Sequence, residues 1–417
     1  MGFIDRLISR ITGRDVSPGD IVVVNIDVVY AQDGTAPLII ETIEKELGLE
    51  ELLAANRTYF FIDHSAPAPH IAAATAHREM RRFCRRQGIR LYDAGNGICH
   101  QVAIDEGIVR PGMVVMGADS HTPTVGALGL YALGVGSTDA AIAIAYGKQW
   151  TRIPFTVKIV LTGRPPRSVM SKDIALSLIG ELKTDGMVGK AIEFHGEALK
   201  HLSMDSRFTL TNMSTEMGAE SAVIPVDEAA RQWLENRSLT PLRYVDYDPL
   251  KTQFIEELTF EVDRIEPMVA MPPDVDNVLA VSEIEDVEVD QVFIGSCTNG
   301  RLEDIEIAAR ILKGRRIHGN VRCIVSPASK KVYSEALREG YIQILAEAGC
   351  IVAPPTCGPC VGAHMGILAE GEVALATTNR NFPGRMGHKN SKLYLASPAT
   401  AAATAIEGKI TDPRKYL

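Results

Sequence analysis

The sequence predicts an α/β protein: mostly parallel sheets, helices on both faces, and a cleft shared between them. Three observations predict it. Apolar, β-branched runs alternate with amphipathic helical runs along most of the chain. Polar motifs fall where those strand-like runs end, which is where open parallel sheets bind ligands. With 417 residues, at about 150 residues per domain, the chain divides into two or three domains with sizeable cores.

In order, Ile21 to Tyr30 has the composition of a strand and leads into the amphipathic run Leu38 to Leu47. Tyr59 to Ile62 is a short strand, followed by a helix over His70 to Arg86. Met113 to Met116 is another strand. Leu128 to Trp150 is expected as a long helix, its Gly126, Gly129, Gly134 and Gly136 serving close helix–sheet packing, because their order is not that of a dinucleotide loop. A second section opens with the strand Phe155 to Gly163 and continues through a helix over Lys172 to Leu182 and a strand over Ala191 to Phe194. Asp246 to Asp290 is acidic, carries Pro267, Pro272 and Pro273, and is expected in part as a linker. Strand-like runs resume at Val292 to Ile294, Val321 to Val325, Cys350 to Ala353 and Val373 to Thr377.

The formal net charge of −9 supplies no global basic field for nucleic acid or an anionic membrane. Hydrophobic content is 46% and charged content 23%, the balance of a globular protein. Met1 to Leu7 is interrupted early by charge and lacks the pattern of a signal peptide. The most apolar stretch, Val125 to Tyr146, carries Asp139 and many small residues, so a helix packed on a sheet is expected there rather than a membrane span. These features predict a cytoplasmic protein. Seven cysteines, an odd number, argue against a disulfide framework. Cys84, Cys323 and Cys350 are expected as small buried hydrophobes.

Five polar motifs follow five strand-like runs: Asp63-His64, Asp119-Ser120-His121, Cys297, Cys357-Gly358-Pro359-Cys360, and Asn379-Arg380 through Arg385. A lone cysteine about sixty residues before a CxxC pair offers three thiolates. Three ligands leave a coordination position open, and an open position is where a metal does chemistry. The spacing admits an iron–sulfur cluster, a zinc site completed by His364, or no metal. Asp63 and His64 are adjacent, Asp119 and His121 flank Ser120, His100 sits in Gly97 to Gln101 and Glu216 in Asn212 to Glu216; a paired carboxylate holds an imidazole in one tautomer and stabilises its cation. Taken singly, each pair also suits a capping acid beside a core histidine. Arg380 and Arg385 on one Gly/Pro turn suit a carboxylate clamp or a solvated turn. Together the groups suit removal or addition of water beside a carboxylate, with no call for hydride or phosphoryl transfer.

At these residues the chain resembles the aconitase superfamily, in its branch of isopropylmalate dehydratase and homoaconitase large subunits. The matching segments are Ala31 to Thr35, Ile62 to His64, Gly97 to Gln101, Gly117 to Thr122, Asn212 to Gly218, Gly295 to Arg301, Cys357 to Cys360 and Asn379 to Arg385. The resemblance implies three aconitase-like α/β/α domains, which the changes in pattern put at 1–154, 155–284 (ending in a linker) and 285–417. It implies a [4Fe–4S] cluster on Cys297, Cys357 and Cys360, and the pairs Asp63–His64, His100–Asp119 and His121–Glu216, with His64 protonating the leaving hydroxyl. Gln32, Ser120, Asn212, Asn379, Arg380 and Arg385 would line the site. The implied activity is a hydro-lyase acting on a small hydroxy di- or tricarboxylic acid. The first substrate is isopropylmalate in leucine biosynthesis, with homocitrate or a methylmalate or maleate as alternatives. The chain ends at Leu417 without the swivelling domain of single-chain aconitases, so the resemblance implies a separate small subunit. An iron-sensing, RNA-binding relative is the alternative from another class, disfavoured by the net charge.

Overall fold

In the computed structural model, residues 2–237, 239, 245, 252 and 254–417 are described. The run Ile21 to Tyr30 is two strands, not one: β1 (Ile21–Asn25) and β2 (Val28–Gln32). The break falls at Asp27, whose carboxylate accepts from the Val114 N–H at 2.9 Å while its own N–H donates to the Val114 carbonyl. β3 (Thr58–Phe61), β4 (Arg90–Tyr92), β5 (Val114–Gly117) and β6 (Tyr131–Gly134) join β2 in a five-stranded sheet of order β4-β3-β2-β5-β6. All its pairings are parallel. β2 and β5 are buried on both faces, which explains their unbroken apolar runs. The helix Ile71–Gln87 starts where His70 Nδ1 accepts from the Ala73 N–H at 3.1 Å, and ends at Gly88 with φ of 70°.

The expected helix over 128–150 is a correction. That stretch forms β6, a shorter helix Ser137–Tyr146, and β7 (Lys148–Arg152), which pairs antiparallel with β1. Alternating burial in β7 is the period of a strand, and Gly147, with φ of 67°, ends the helix before it. Close approach explains two of the glycines, though against strand and loop backbone rather than a helix: a Cβ on Gly126 would lie 1.8 Å from the Ala222 carbonyl oxygen and one on Gly134 2.7 Å from that of Asp119, whereas Gly136 has no neighbour nearer than 3.9 Å and precedes the helix Ser137–Tyr146 as its N-cap.

β8 (Phe155–Thr162), β9 (Lys190–His195), β10 (Ser221–Val223) and β11 (Glu256–Glu261) form a second parallel sheet of order β10-β9-β8-β11. The third sheet holds β12 (Met268–Ala270), β13 (Val278–Ala280), β14 (Gln291–Ile294), β15 (Arg322–Val325), β16 (Ile351–Val352), β17 (Val373–Ala376) and β18 (Lys392–Ala396), in the order β13-β12-β18-β17-β14-β15-β16. Its β18-to-β16 portion is parallel, and β12 pairs antiparallel with both β13 and β18. Thus the stretch expected in part as a linker contributes three strands to two sheets; its residues 246–251 and 253 lie outside the described ones. The largest apolar cluster takes residues from all three regions, among them Ile98, Phe208, Cys297 and Leu368. Cys84, Cys323 and Cys350 are buried among apolar side chains, as expected. Among the described residues no helix is long and apolar enough to cross a membrane.

Candidate active site and metal centre

Six strands present their carboxyl ends to one cavity: β2, β3 and β5 of the first sheet, and β14, β16 and β17 of the third. The cavity has a volume of about 200 Å³. Twelve of the fifteen site residues expected from sequence line it, including Cys297, Cys357 and Cys360. The other three stand directly behind the lining: Asp63 holds His64, Glu216 holds His121, and Asn212 holds Cys297. Ile98 and Val361 complete the wall.

Each cysteine sits on a turn that local chemistry fixes. After β14 the chain turns sharply into a short helix, Ser296–Asn299, with Ser296 in the left-handed region at φ of 76°. A side chain at Gly295 would meet the Ser326 carbonyl oxygen at 2.7 Å. Arg301, fully buried, donates to the carbonyls of Cys297 at 2.6 Å and Thr298 at 2.7 Å. The Cys357 N–H donates to the Asp63 carbonyl at 2.8 Å, which ties the CxxC turn of the third sheet to the His64 turn of the first.

The sulfur environment is one of donors. Asn212 Nδ2 lies 3.2 Å from Cys297 Sγ, Asn379 Nδ2 3.6 Å from the same sulfur, and Arg385 Nη2 3.6 Å from Cys360 Sγ. Asn212 is oriented by Thr124 and Thr298, which take its amide nitrogen at 2.8 Å and its oxygen at 3.0 Å. Buried Arg385 Nε has no partner among the described residues. Burial and the neighbouring Cys360 push the Cys297 thiol up to about 12, so a thiolate there needs a cation. Three converging sulfurs ringed by N–H donors fit an iron–sulfur cluster. They fit the zinc alternative poorly: His364 Nε2 is 3.1 Å from Thr356 Oγ1, and the ring does not line the cavity.

All three expected imidazole–carboxylate pairs form. Asp63 Oδ1 is 2.8 Å from His64 Nδ1, and its Oδ2 accepts from the Cys99 N–H at 2.7 Å. Burial presses the His64 imidazolium down, but Asp63, Asp119 and Asp33 outweigh it and hold the group up at about 9. Asp119 Oδ1 accepts from His100 Nε2 at 2.9 Å and from the His121 N–H at 2.9 Å. Against its burial, these donors keep its carboxyl well below the usual range. His121 Nε2 is 2.7 Å from Glu216 Oε1. Arg380 is not a free clamp: its Nε donates to both Glu216 oxygens, at 3.0 and 3.1 Å, and its Nη2 to Ser120 Oγ at 3.2 Å.

Tyr30 and Asp33 are positioning residues that the motifs did not single out. Tyr30 Oη is 2.7 Å from His100 Nδ1. With Nε2 on Asp119, both ring nitrogens of His100 are committed, which makes His100 a support for Asp119. Buried Asp33 gathers four donors: Oδ1 takes the N–H of Asp63 at 3.1 Å and of His64 at 2.7 Å, and Oδ2 takes the N–H of Ser65 at 2.9 Å and His77 Nε2 at 3.0 Å. Burial would raise its carboxyl, but these donors hold it well below the usual range. Its stabilising contribution is complete above the unfolded value of about 4 and is lost as pH falls below it. Asp33→Ala is expected to cost about 3 kcal/mol of stability near neutral pH. Denaturant titration at neutral and acid pH checks this, and a deficit that does not shrink on acidification contradicts it.

The Aconitase family (aconitate hydratase) matches residues 9–285 and 280–408. The chain belongs to the aconitase family. Among its relatives, a 3-isopropylmalate dehydratase large subunit of Methanopyrus kandleri is 49% identical over 99% of both chains. One of Thermotoga maritima is 45% identical, also over 99% of both. A "Probable methanogen homoaconitase large subunit" of Methanothermobacter thermautotrophicus is 43% identical over 100% of this chain and 98% of its own. In fold, this aconitase-family chain is similar to Thermococcus kodakaraensis aconitase X, with a TM-score of 0.52 at 12% identity over 91% of this chain and 89% of that one.

Proposed function

We propose that this chain is the large subunit of 3-isopropylmalate dehydratase, a [4Fe–4S]-dependent hydro-lyase. In this reading it interconverts 2-isopropylmalate and 3-isopropylmalate through 2-isopropylmaleate, in leucine biosynthesis. One observation carries the reading: three cysteines and three imidazole–carboxylate pairs converge on one cavity, in a chain matched end to end by relatives of that name.

Cys297, Cys357 and Cys360 hold the cluster, with Asn212, Asn379 and Arg385 donating to their sulfurs. Bound there, it would supply Lewis acidity, because three cysteines leave a coordination position open. The chain's own groups do the rest. His64 lines the cavity with Nδ1 on Asp63 at 2.8 Å and Nε2 3.7 Å from Asp119 Oδ2, and these carboxylates hold it up at about 9, so it is the group to hand a proton to the departing hydroxyl. His100 and His121 fix Asp119 from two sides. Gln32, Ser120, Asn379, Arg380 and Arg385 orient the substrate carboxylates, Arg385 as the freer cation.

The relatives are named large subunits, which supports a separate small subunit as partner. That partner brings the swivelling domain with the base for the carbon-bound proton and the contact for the substrate's side group. Seven free, buried cysteines suit a reducing compartment, and we infer a cytoplasmic location. The large chain alone, with its cluster intact, is expected to turn over less than about 1% as fast as the pair, the scale of one missing acid–base group; full activity without a partner overturns the two-subunit reading. The methanogen relative favours homocitrate as the second substrate to try. Anaerobic assays of the reconstituted pair on both acids decide: turnover of homocitrate with none of isopropylmalate overturns the assignment.

A further inference from the structure

Lys172 is a buried cation that the chemistry above leaves unused. It is the second residue of the helix Ser171–Leu182 and is 0% exposed. Its Nζ donates to the Thr377 carbonyl at 3.3 Å and to the Thr378 carbonyl, and lies 3.6 Å from Met213 Sδ. Those acceptors match the three N–H donors of an ammonium, but none carries a charge. Among the described residues no carboxylate stands within ion-pair distance of Nζ. Asp173, next in sequence, is turned to other work: its oxygens accept from the N–H groups of Met170 at 2.8 Å and Met268 at 2.9 Å, and burial pushes its carboxyl up to about 7.

An unpaired buried ammonium is expensive, and a methionine would fill the same volume without that cost. Burial draws the lysine down to about 8, and the groups that resist the fall are led by Cys360, with Glu216 and Cys297 after it. The carbonyls it grips belong to the turn that faces the cysteines. Next along the chain is Asn379, whose Nδ2 is 3.6 Å from Cys297 Sγ and whose Oδ1 is 3.8 Å from Cys360 Sγ. The Thr377 hydroxyl accepts from the Gly295 N–H at 2.9 Å and donates to the Gly295 carbonyl at 3.0 Å, joining this turn to the one that bears Cys297. A [4Fe–4S]2+ core on three thiolates would be a net anion, and it would supply the charge this lysine lacks.

We infer that Lys172 is the buried counter-charge of the cluster, a positioning residue whose ammonium offsets the anionic centre while locking the Asn379–Arg380 turn against it. The inference rests on the cluster reading of the site.

The test compares the full-length chain with Lys172→Met and Lys172→Gln, each reconstituted anaerobically with iron and sulfide. Two quantities besides turnover are read: the midpoint potential of the [4Fe–4S]2+/1+ couple, followed by electron paramagnetic resonance, and the melting temperature with and without the cluster. Both variants are expected to shift the potential to more negative values. The rise in melting temperature on cluster loading is expected to shrink in both, the loaded variants losing more stability than the cluster-free ones, in which only the donor to the Thr377 and Thr378 carbonyls is lost. An unmoved potential with an undiminished rise overturns the inference. So does an equal loss of stability with and without the cluster, which is what a packing role alone produces. If Lys172→Met fails to fold, Lys172→Gln keeps a donor for the two carbonyls and carries the comparison; failure of both to fold assigns a structural role and overturns the counter-charge. A wild-type chain that takes up no iron overturns the cluster reading and this inference with it. That result is distinct from iron bound with the potential unmoved, which overturns the inference alone.

Discussion

Replacing Cys357 with serine is expected to lower dehydration by the assembled heteromer about 1,000-fold or more. The estimate follows from losing a Lewis acid worth several kcal/mol at the departing hydroxyl, each 1.4 kcal/mol being about tenfold in rate. The same loss is expected at Cys297 and Cys360, because all three cysteines line one cavity and N–H donors of Asn212 and Arg385 approach Cys297 and Cys360. The fold should survive, since the Cys357 turn is held by main-chain bonds, its N–H on the Asp63 carbonyl at 2.8 Å. Cys84, Cys323 and Cys350 are the internal controls: they are equally buried but pack in apolar clusters away from the cavity. Serine at those three positions should leave iron content and turnover per folded molecule intact and cost only stability, on the order of 1–2 kcal/mol. Iron and sulfide analysis beside initial rates checks both halves. Wild-type rates in any one of the site variants would remove the cluster from the proposed chemistry.

The second large effect is expected at His64. Its replacement by glutamine should reduce kcat by about 10²–10⁴, the usual contribution of a placed general acid. The direction of the pH dependence follows from its neighbours. A donor works only while protonated, and Asp63, Asp119 and Asp33 hold His64 up at about 9 against burial. Activity should therefore be present at neutral pH and fall as pH rises through about 9. Asp63→Asn removes the largest of the raising influences, so the alkaline limb of kcat should move toward neutrality. The same substitution keeps an oxygen for the Cys99 N–H, which Asp63 Oδ2 now accepts at 2.7 Å, and so spares much of the local geometry. Rate profiles of wild type and variant across the alkaline range provide the comparison. An unchanged limb in Asp63→Asn would show that His64 is not the group that titrates.

The lining of the site was legible because its residues follow strands in sequence. Asp63-His64, Asp119-Ser120-His121, Cys297 and Asn379-Arg380 each come directly after an apolar run, and a parallel sheet delivers such positions to one edge. The supports were not legible, because nothing local marks a partner far away in the chain. Tyr30 lies inside an apolar strand, and only the fold brings its hydroxyl to His100. Lys172 opens a largely buried helix and meets residues more than two hundred positions later. Asp33 and Arg301 stood within the segments that carry the family resemblance, yet their neighbours offered no sign of the main-chain groups each collects. Two of the errors in secondary structure share a cause. In 128–150 a continuous apolar composition hid the glycines at 134, 136 and 147 as element boundaries, and in 21–30 it hid Asp27 as a break between strands belonging to different sheets.

The hydrogen bond from the Cys357 N–H to the Asp63 carbonyl, and the one from Asn212 to Cys297 Sγ, have a bearing on how the protein matures. Each joins remote stretches of chain, so no fragment of the polypeptide contains a competent cradle. A zinc finger gathers its ion within a few tens of residues; a cluster on Cys297, Cys357 and Cys360 would instead draw on a cradle that both ends of the chain assemble.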